Sequence, residues 1–129
     1  MEIQRPSRPV LVVEDDPDVQ AMVRLFLESY GFAVCSAHDA VAALEFLIEK
    51  KPSLILLDVN MPRMDGITFA RRLRRHSDPD IAGTPIVLVT GVTGARAAAE
   101  AIDAADVIVK PISFDKVVSA VEQHCGPAH

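Results

Sequence analysis

A chain of 129 residues, half of them hydrophobic and 24% charged, can bury one ordinary core and reads as a single globular domain. Eighteen acidic against thirteen basic residues give a formal charge of −5, which argues against a protein that coats nucleic acid or an anionic membrane through bulk charge. Apolar runs such as Val10–Val13 and Leu54–Leu57 are far too short to span a bilayer or to form a signal-peptide core, so the expected setting is the cytoplasm.

Residues 1–8 mix charge, proline and serine without an apolar period and read as a flexible leader. The ordered domain is expected over 9–126, with a tail at 127–129. Val10–Val13 is a strand candidate, followed by an amphipathic helix over Pro17–Tyr30 that Gly31 stops. Ala33–Ala37 is a short strand, and Asp39 caps a helix running to Lys50 with Ala40, Leu44, Leu47 and Ile48 on one face. Leu54–Leu57 is a buried strand, and a third helix spans Gly66–His76. The Asp-, Pro- and Gly-rich stretch Ser77–Pro85 is a loop, and Ile86–Val89 is the fourth strand. An alanine-rich helix over Ala95–Ala105, a fifth strand over Val107–Val109 and a last helix capped by Ser113 and ending near His124 complete the pattern. Strands and helices alternate, five of each. Unbroken apolar runs mark parallel strands covered on both faces, so the fold class is a three-layer α/β sandwich. Right-handed crossovers then require the strand order to reverse somewhere, leaving a crevice at the carboxyl ends of the strands.

The strand ends supply the candidate chemistry. Glu14, Asp15 and Asp16 follow the first strand, Asp58 the third, Thr90 and Gly91 the fourth, and Lys110 and Pro111 the fifth; the second offers His38 and Asp39. Carboxylates gathered in one crevice raise one another's pKa unless a cation joins them. Oxygen donors describe Mg²⁺ better than Zn²⁺, and Glu14, Asp15 and Asp58 against Lys110 and a dication balance to neutrality. The first turn, EDDPD, carries no glycine-rich phosphate loop, which argues against a nucleotide cofactor. Phosphoryl transfer onto one of the carboxylates is the chemistry such a crevice suits. Cys35 and Cys125 have no metal-ligand spacing and read as reduced thiols, and the four histidines read as surface residues. Asp16 reads as a cap or first-turn residue, Asp65 and Gly66 as a helix start, and Arg71–Arg75 as a solvated face.

The segments VLVVEDD (from Val10), LILLDVNMPRMDG (Leu54 to Gly66), TPIVLVT (Thr84 to Thr90) and VKP (Val109 to Pro111) together resemble the response-regulator receiver domain of two-component signalling, CheY-like in type. The resemblance covers nearly all of the chain from Pro9. It implies a flavodoxin-like fold with strand order 2-1-3-4-5. It also implies that Asp58 accepts a phosphoryl group from a histidine kinase or a histidine phosphotransfer protein. Mg²⁺, with Mn²⁺ as a substitute, would be held by the carboxylates of Asp15 and Asp58, by the main-chain carbonyl of Asn60 and by Glu14 through water. Lys110 would pair with the phosphoryl oxygens, Thr90 would swing toward them, Gly91 would leave room, and Pro111 would follow a cis peptide. The switching surface implied is the family's α4-β5-α5, here the predicted segments 95–105, 107–109 and 113–124. It would be read by a downstream partner or an output domain beyond this sequence, or form a phosphorylation-dependent homodimer, with no direct contact to nucleic acid or membrane. Such a domain is a signalling switch whose only catalysis is its own phosphorylation and dephosphorylation.

The sequence departs from that family at Val107, where the family keeps an aromatic readout residue, and at Asp103, where a glycine is usual; the interval from Thr90 to Lys110 is also short. Val92, beside the expected water path with Asn60, is expected to slow hydrolysis by excluding water. A haloacid-dehalogenase-type phosphohydrolase is the rival class, but its second aspartate is replaced here by Asn60, which cannot shuttle a proton. A third reading is a receiver-like module that binds partners without accepting phosphate.

Overall fold

A computed structural model of the chain describes residues 8–59, 65–91 and 95–125. In order these form β1 (Val10–Val13), α1 (Pro17–Ser29), β2 (Val34–Ala37), α2 (Ala40–Glu49), β3 (Leu54–Asp58), α3 (Gly66–Arg74), α4 (Pro79–Ala82), β4 (Ile86–Thr90), α5 (Ala95–Ala101), β5 (Asp106–Val109) and α6 (Phe114–Cys125). All pairings are parallel, in the order β2-β1-β3-β4-β5. The chain steps outward from β1 to β2 and then crosses back to β3, so the order reverses between β1 and β3 and the crevice opens at their carboxyl ends.

Alternate strand residues feed two cores, which is why β1, β3 and β4 are buried throughout. Leu11, Val13, Ile55, Leu57, Ile86 and Leu88 face α2, α3 and α5, meeting Ala43, Leu47, Phe69, Leu73 and Ile102. Val10, Val12, Leu54, Leu56, Val87 and Val89 face α1 and α6, meeting Val23, Leu27, Val117 and Val121. The three layers are therefore as expected.

Helix starts follow side-chain caps. The carboxylates of Asp16, Asp39, Asp65 and Asp78 accept amide hydrogen bonds from the first turns of α1, α2, α3 and α4. Gly31, at φ 91°, ends α1, its amide donating to Glu28 and that of Phe32 to Leu27.

The structure corrects four expectations. The stretch 77–85 holds a one-turn helix, α4, because Asp78 caps it and Pro79 occupies its first position, so the described residues hold six helices rather than the expected five. The family's α4-β5-α5 surface is thus α5-β5-α6 in this numbering. On α2 the buried face is Ala40, Ala43 and Leu47, whereas Ile48 is 82% exposed; one residue beyond Leu47, it is carried about 100° round the helix, out of the core stripe. Helix α5 stops at Ala101 instead of reaching 105. There Asp103 takes φ 55°, its amide donating to Glu100 and that of Ala104 to Ala99, the closing pattern a glycine commonly serves. His124 is not simply a surface residue: its Nε2 is buried and 3.5 Å from Asp106 Oδ2.

Candidate functional site

Four strand ends build the crevice. At the end of β1, Glu14 is fixed by its amide, which donates to the Ala37 carbonyl at 3.0 Å, while Gln20 of α1 donates from Nε2 to the carbonyls of both Glu14 and Ala37. Asp58 is the last residue of β3, opposite Val89, and is only 3% exposed. Thr90, fully buried, ends β4, and its carbonyl accepts the Lys110 amide at 2.9 Å. The Lys110–Pro111 peptide is cis, and the Lys110 ammonium reaches Asp58 Oδ1 at 3.3 Å.

Glu14, Asp15 and Asp58 each place a carboxylate oxygen within 4.8 Å of the other two. Glu14 and Asp58 are buried, while Asp15 faces solvent. Burial is the first cause that lifts the Glu14 carboxyl from 4.5 to about 7; the Asp16 amide, donating to its Oε2 at 3.1 Å, pulls the other way, and the nearby Asp58 and Asp15 carboxyls add to the rise. A carboxylate cluster with two buried members is a donor set of hard oxygens in want of positive charge, and Lys110 supplies only one unit. The residues present therefore fit a hard divalent cation of the Mg²⁺ type, with Glu14, Asp15 and Asp58 as its side-chain donors. A cavity of about 500 Å³ opens at this cluster, its lining including the apolar side chains of Val19, Met22, Ile112 and Phe114.

The expected site residues Glu14, Asp15, Asp58 and Lys110 thus converge, with Thr90 at the adjoining strand end. Gly91 is exposed, and a Cβ there would meet the Lys110 side chain at 3.5 Å. Val107 is half-buried against the core on the α2, α3 and α5 side. Asp39 and Asp16 are engaged as caps, and Asp39 also lies 3.4 Å from His38. Asn60 and Val92 lie outside the described residues, as do the leader to residue 7 and the tail. Three residues were not singled out for the parts they play. Gln20 ties the ends of β1 and β2. Gly66 packs directly under the Asp58 carbonyl, where a Cβ would come to 2.7 Å, and its amide donates to Val59. Arg74 is not part of a solvated face but is half-buried with four backbone hydrogen bonds. Only Gly66 carried a legible signal, the Asp-Gly pair at a helix start.

A parallel sheet of this order with acids at the ends of β1 and β3 and a lysine before a proline after β5 defines a doubly wound α/β domain whose crevice lies at the switch point of the sheet. Residues 10–122 match the response regulator receiver domain model, and the chain belongs to that family. The match decides against the phosphohydrolase alternative. The chain is 31% identical over 122 residues to the transcriptional regulatory protein YxdJ of Bacillus subtilis, covering 93% of this chain and 51% of that protein. It is 34% identical over 112 residues to the response regulator MprA of Mycobacterium ulcerans, covering 85% and 47%. The chain thus spans about half the length of these curated relatives. Among solved structures it is similar to a putative response regulator from Chloroflexus aurantiacus, with TM-score 0.84, 30% identity and coverage of 92% of this chain and 97% of that one. The chemotaxis protein CheY4 of Vibrio cholerae superposes with TM-score 0.82 at 28% identity, covering 91% and 98%. The chain is a two-component receiver domain of CheY-like fold, and no helix among the described residues is long and apolar enough to cross a membrane.

Proposed function

We propose that Asp58 is the phosphoacceptor of this receiver domain and that its phosphorylation depends on Mg²⁺. The observation that carries the reading is the meeting of three carboxylates within 4.8 Å with Lys110 held 3.3 Å from Asp58. An Asp58 carboxylate oxygen attacks the phosphorus of a phosphohistidine on a kinase or phosphotransfer protein. The P–N bond breaks, the imidazole leaves with the electron pair and takes up a proton, and an acyl phosphate remains. Hydrolysis of that acyl phosphate by water restores the carboxylate and releases phosphate. Mg²⁺, or Mn²⁺ in its place, would be held by Asp15, Asp58, the Asn60 main-chain carbonyl and Glu14 through water, and would supply positive charge against the phosphoryl oxygens.

Lys110 neutralises one phosphoryl oxygen, and Thr90 donates its hydroxyl to another, with Gly91 keeping the adjoining position small. The added charge of about −1.5 to −2 draws both groups inward, and the movement spreads to the α5-β5-α6 surface through β4 and β5. Val107 and Pro111 shape that response. A downstream partner or an output domain, or a second copy of the chain, reads it in the cytoplasm.

Intact mass after incubation with acetyl phosphate, with and without Mg²⁺, tests the proposal. A single phosphoryl adduct is expected on the wild type with Mg²⁺ and none on Asp58→Asn. Absence of the adduct under conditions where Mg²⁺ binding is measured would overturn it in favour of a constitutive binding module.

A further inference from the structure

The Arg74 guanidinium at the end of α3 makes four hydrogen bonds, each to a backbone carbonyl. Its Nη1 donates to Ala82 at 2.9 Å and Thr84 at 2.7 Å, its Nε to Ile102 at 3.0 Å and its Nη2 to Asp103 at 3.0 Å. The planar fork thus ties the last turn of α3 to the end of α4, the approach to β4 and the turn between α5 and β5. Burial holds its pKa below the ordinary arginine value, with the Asp103 carboxylate acting in the opposite sense.

The other end of α3 is equally constrained. Gly66 opens the helix so close to the phosphoacceptor that an added Cβ would lie 2.7 Å from the Asp58 carbonyl and 3.1 Å from Val59 Cα. A helix of nine residues is a stiff strut about 14 Å long. Its far end grips the turn at Ile102 and Asp103, which holds the left-handed backbone of Asp103 and feeds β5, and β5 leads back to Lys110 against Asp58. Asp58, α3, Arg74, the α5–β5 turn, β5 and Lys110 form a closed loop of contacts.

We infer that Arg74 is a coupling residue, making α3 a second line by which the state of Asp58 reaches the α5–β5 turn, alongside the line through β5 itself. The inference rests on Asp58 being the point of input. A shift of Asp58 and Val59, which pack against Gly66 with the Val59 carbonyl accepting its amide, is carried along α3 as a rigid body and delivered by the fork to the carbonyls of Ile102 and Asp103. Lysine in place of Arg74 keeps the charge but has no fork to hold several elements at once.

Hydrogen exchange at residues 99–106 tests this on the whole chain in the wild type, Arg74→Lys and Arg74→Met. Each is measured alone, with Mg²⁺, and with Mg²⁺ and acetyl phosphate, and intact mass records the adduct in the same samples. A purely structural role for Arg74 raises basal exchange but leaves the ligand-induced change intact. Coupling predicts equal adduct on all three proteins and a change of about threefold or more in the wild type, reduced in Arg74→Lys and lost in Arg74→Met. An undiminished change in Arg74→Met overturns the inference, as does an adduct on the wild type that leaves the turn's exchange unaltered. Failure of the wild type to form the adduct overturns the phosphoacceptor reading instead. The Mg²⁺ arm then decides coupling, and a turn that does not respond to Mg²⁺ overturns it.

Discussion

Gly66 shows how a residue without a side chain sets the position of one with chemistry. It stands in helical backbone, so alanine there meets no torsional penalty; the obstacle is the space taken by the Asp58 carbonyl 2.7 Å from the would-be Cβ. Gly66→Ala is expected to cost about 1–3 kcal/mol as an overpacking change, seen in urea unfolding, and to slow adduct formation because the backbone of Asp58 and Val59 must shift. Asp58 is the complementary case, a buried carboxylate set beside another whose pKa it helps to raise. Replacing it by asparagine removes that repulsion. In EDTA, Asp58→Asn is expected to raise Tm by ~4 °C, the scale of a 1 kcal/mol gain in a domain of this size, and differential scanning calorimetry reads the shift directly. An unchanged or lowered Tm would show that the contact with Lys110 outweighs the repulsion.

Among the elements, the phase of α2 gives a paired test. Leu47 is buried and Ile48 exposed, so Leu47→Ala is expected to cost about 2–5 kcal/mol and Ile48→Ser less than about 0.5 kcal/mol in urea titrations. The single turn α4 is held by exposed contacts: Asp78 caps it and lies 2.8 Å from the Lys51 ammonium, which also reaches Asp80 at 3.2 Å. The ammonium of Lys51 is the first cause that holds the Asp78 carboxyl below its usual 3.8. A carboxylate depressed on folding stabilises above its unfolded pKa, and the gain fades as pH falls through the folded value. Asp78→Ala should therefore give a small loss of Tm at pH 7 that narrows at pH 3 and in high salt. The central strands β1, β3 and β4 were legible because parallel strands buried on both faces read as plain apolar runs; the partly buried β2 and β5 followed from the alternation of strands and helices, and the strand ends from all five. The phase of α2 was not, because alanines fit either stripe, nor was α4, because Asp-Pro-Asp signals a turn as readily as a cap. The hold of Arg74 was illegible among the four arginines of the run 71–75, since only the tertiary fold distinguishes the arginine that points inward.

At the scale of the whole molecule, binding of Mg²⁺ to the crevice should stabilise the native state by mass action. About 2.7 kcal/mol is expected at a hundredfold excess over Kd, read as a concentration-dependent rise in Tm that Asp58→Asn largely removes. The two ends of the sheet carry different burdens. At the carboxyl ends buried acids oppose one another, whereas at the amino ends Arg74 and Lys51 bind the loops and the short helix together. Mutational tolerance should follow that polarity: the crevice can be retuned by exchanging its loops as a cassette, while the opposite rim serves as the chassis that such grafts must leave untouched.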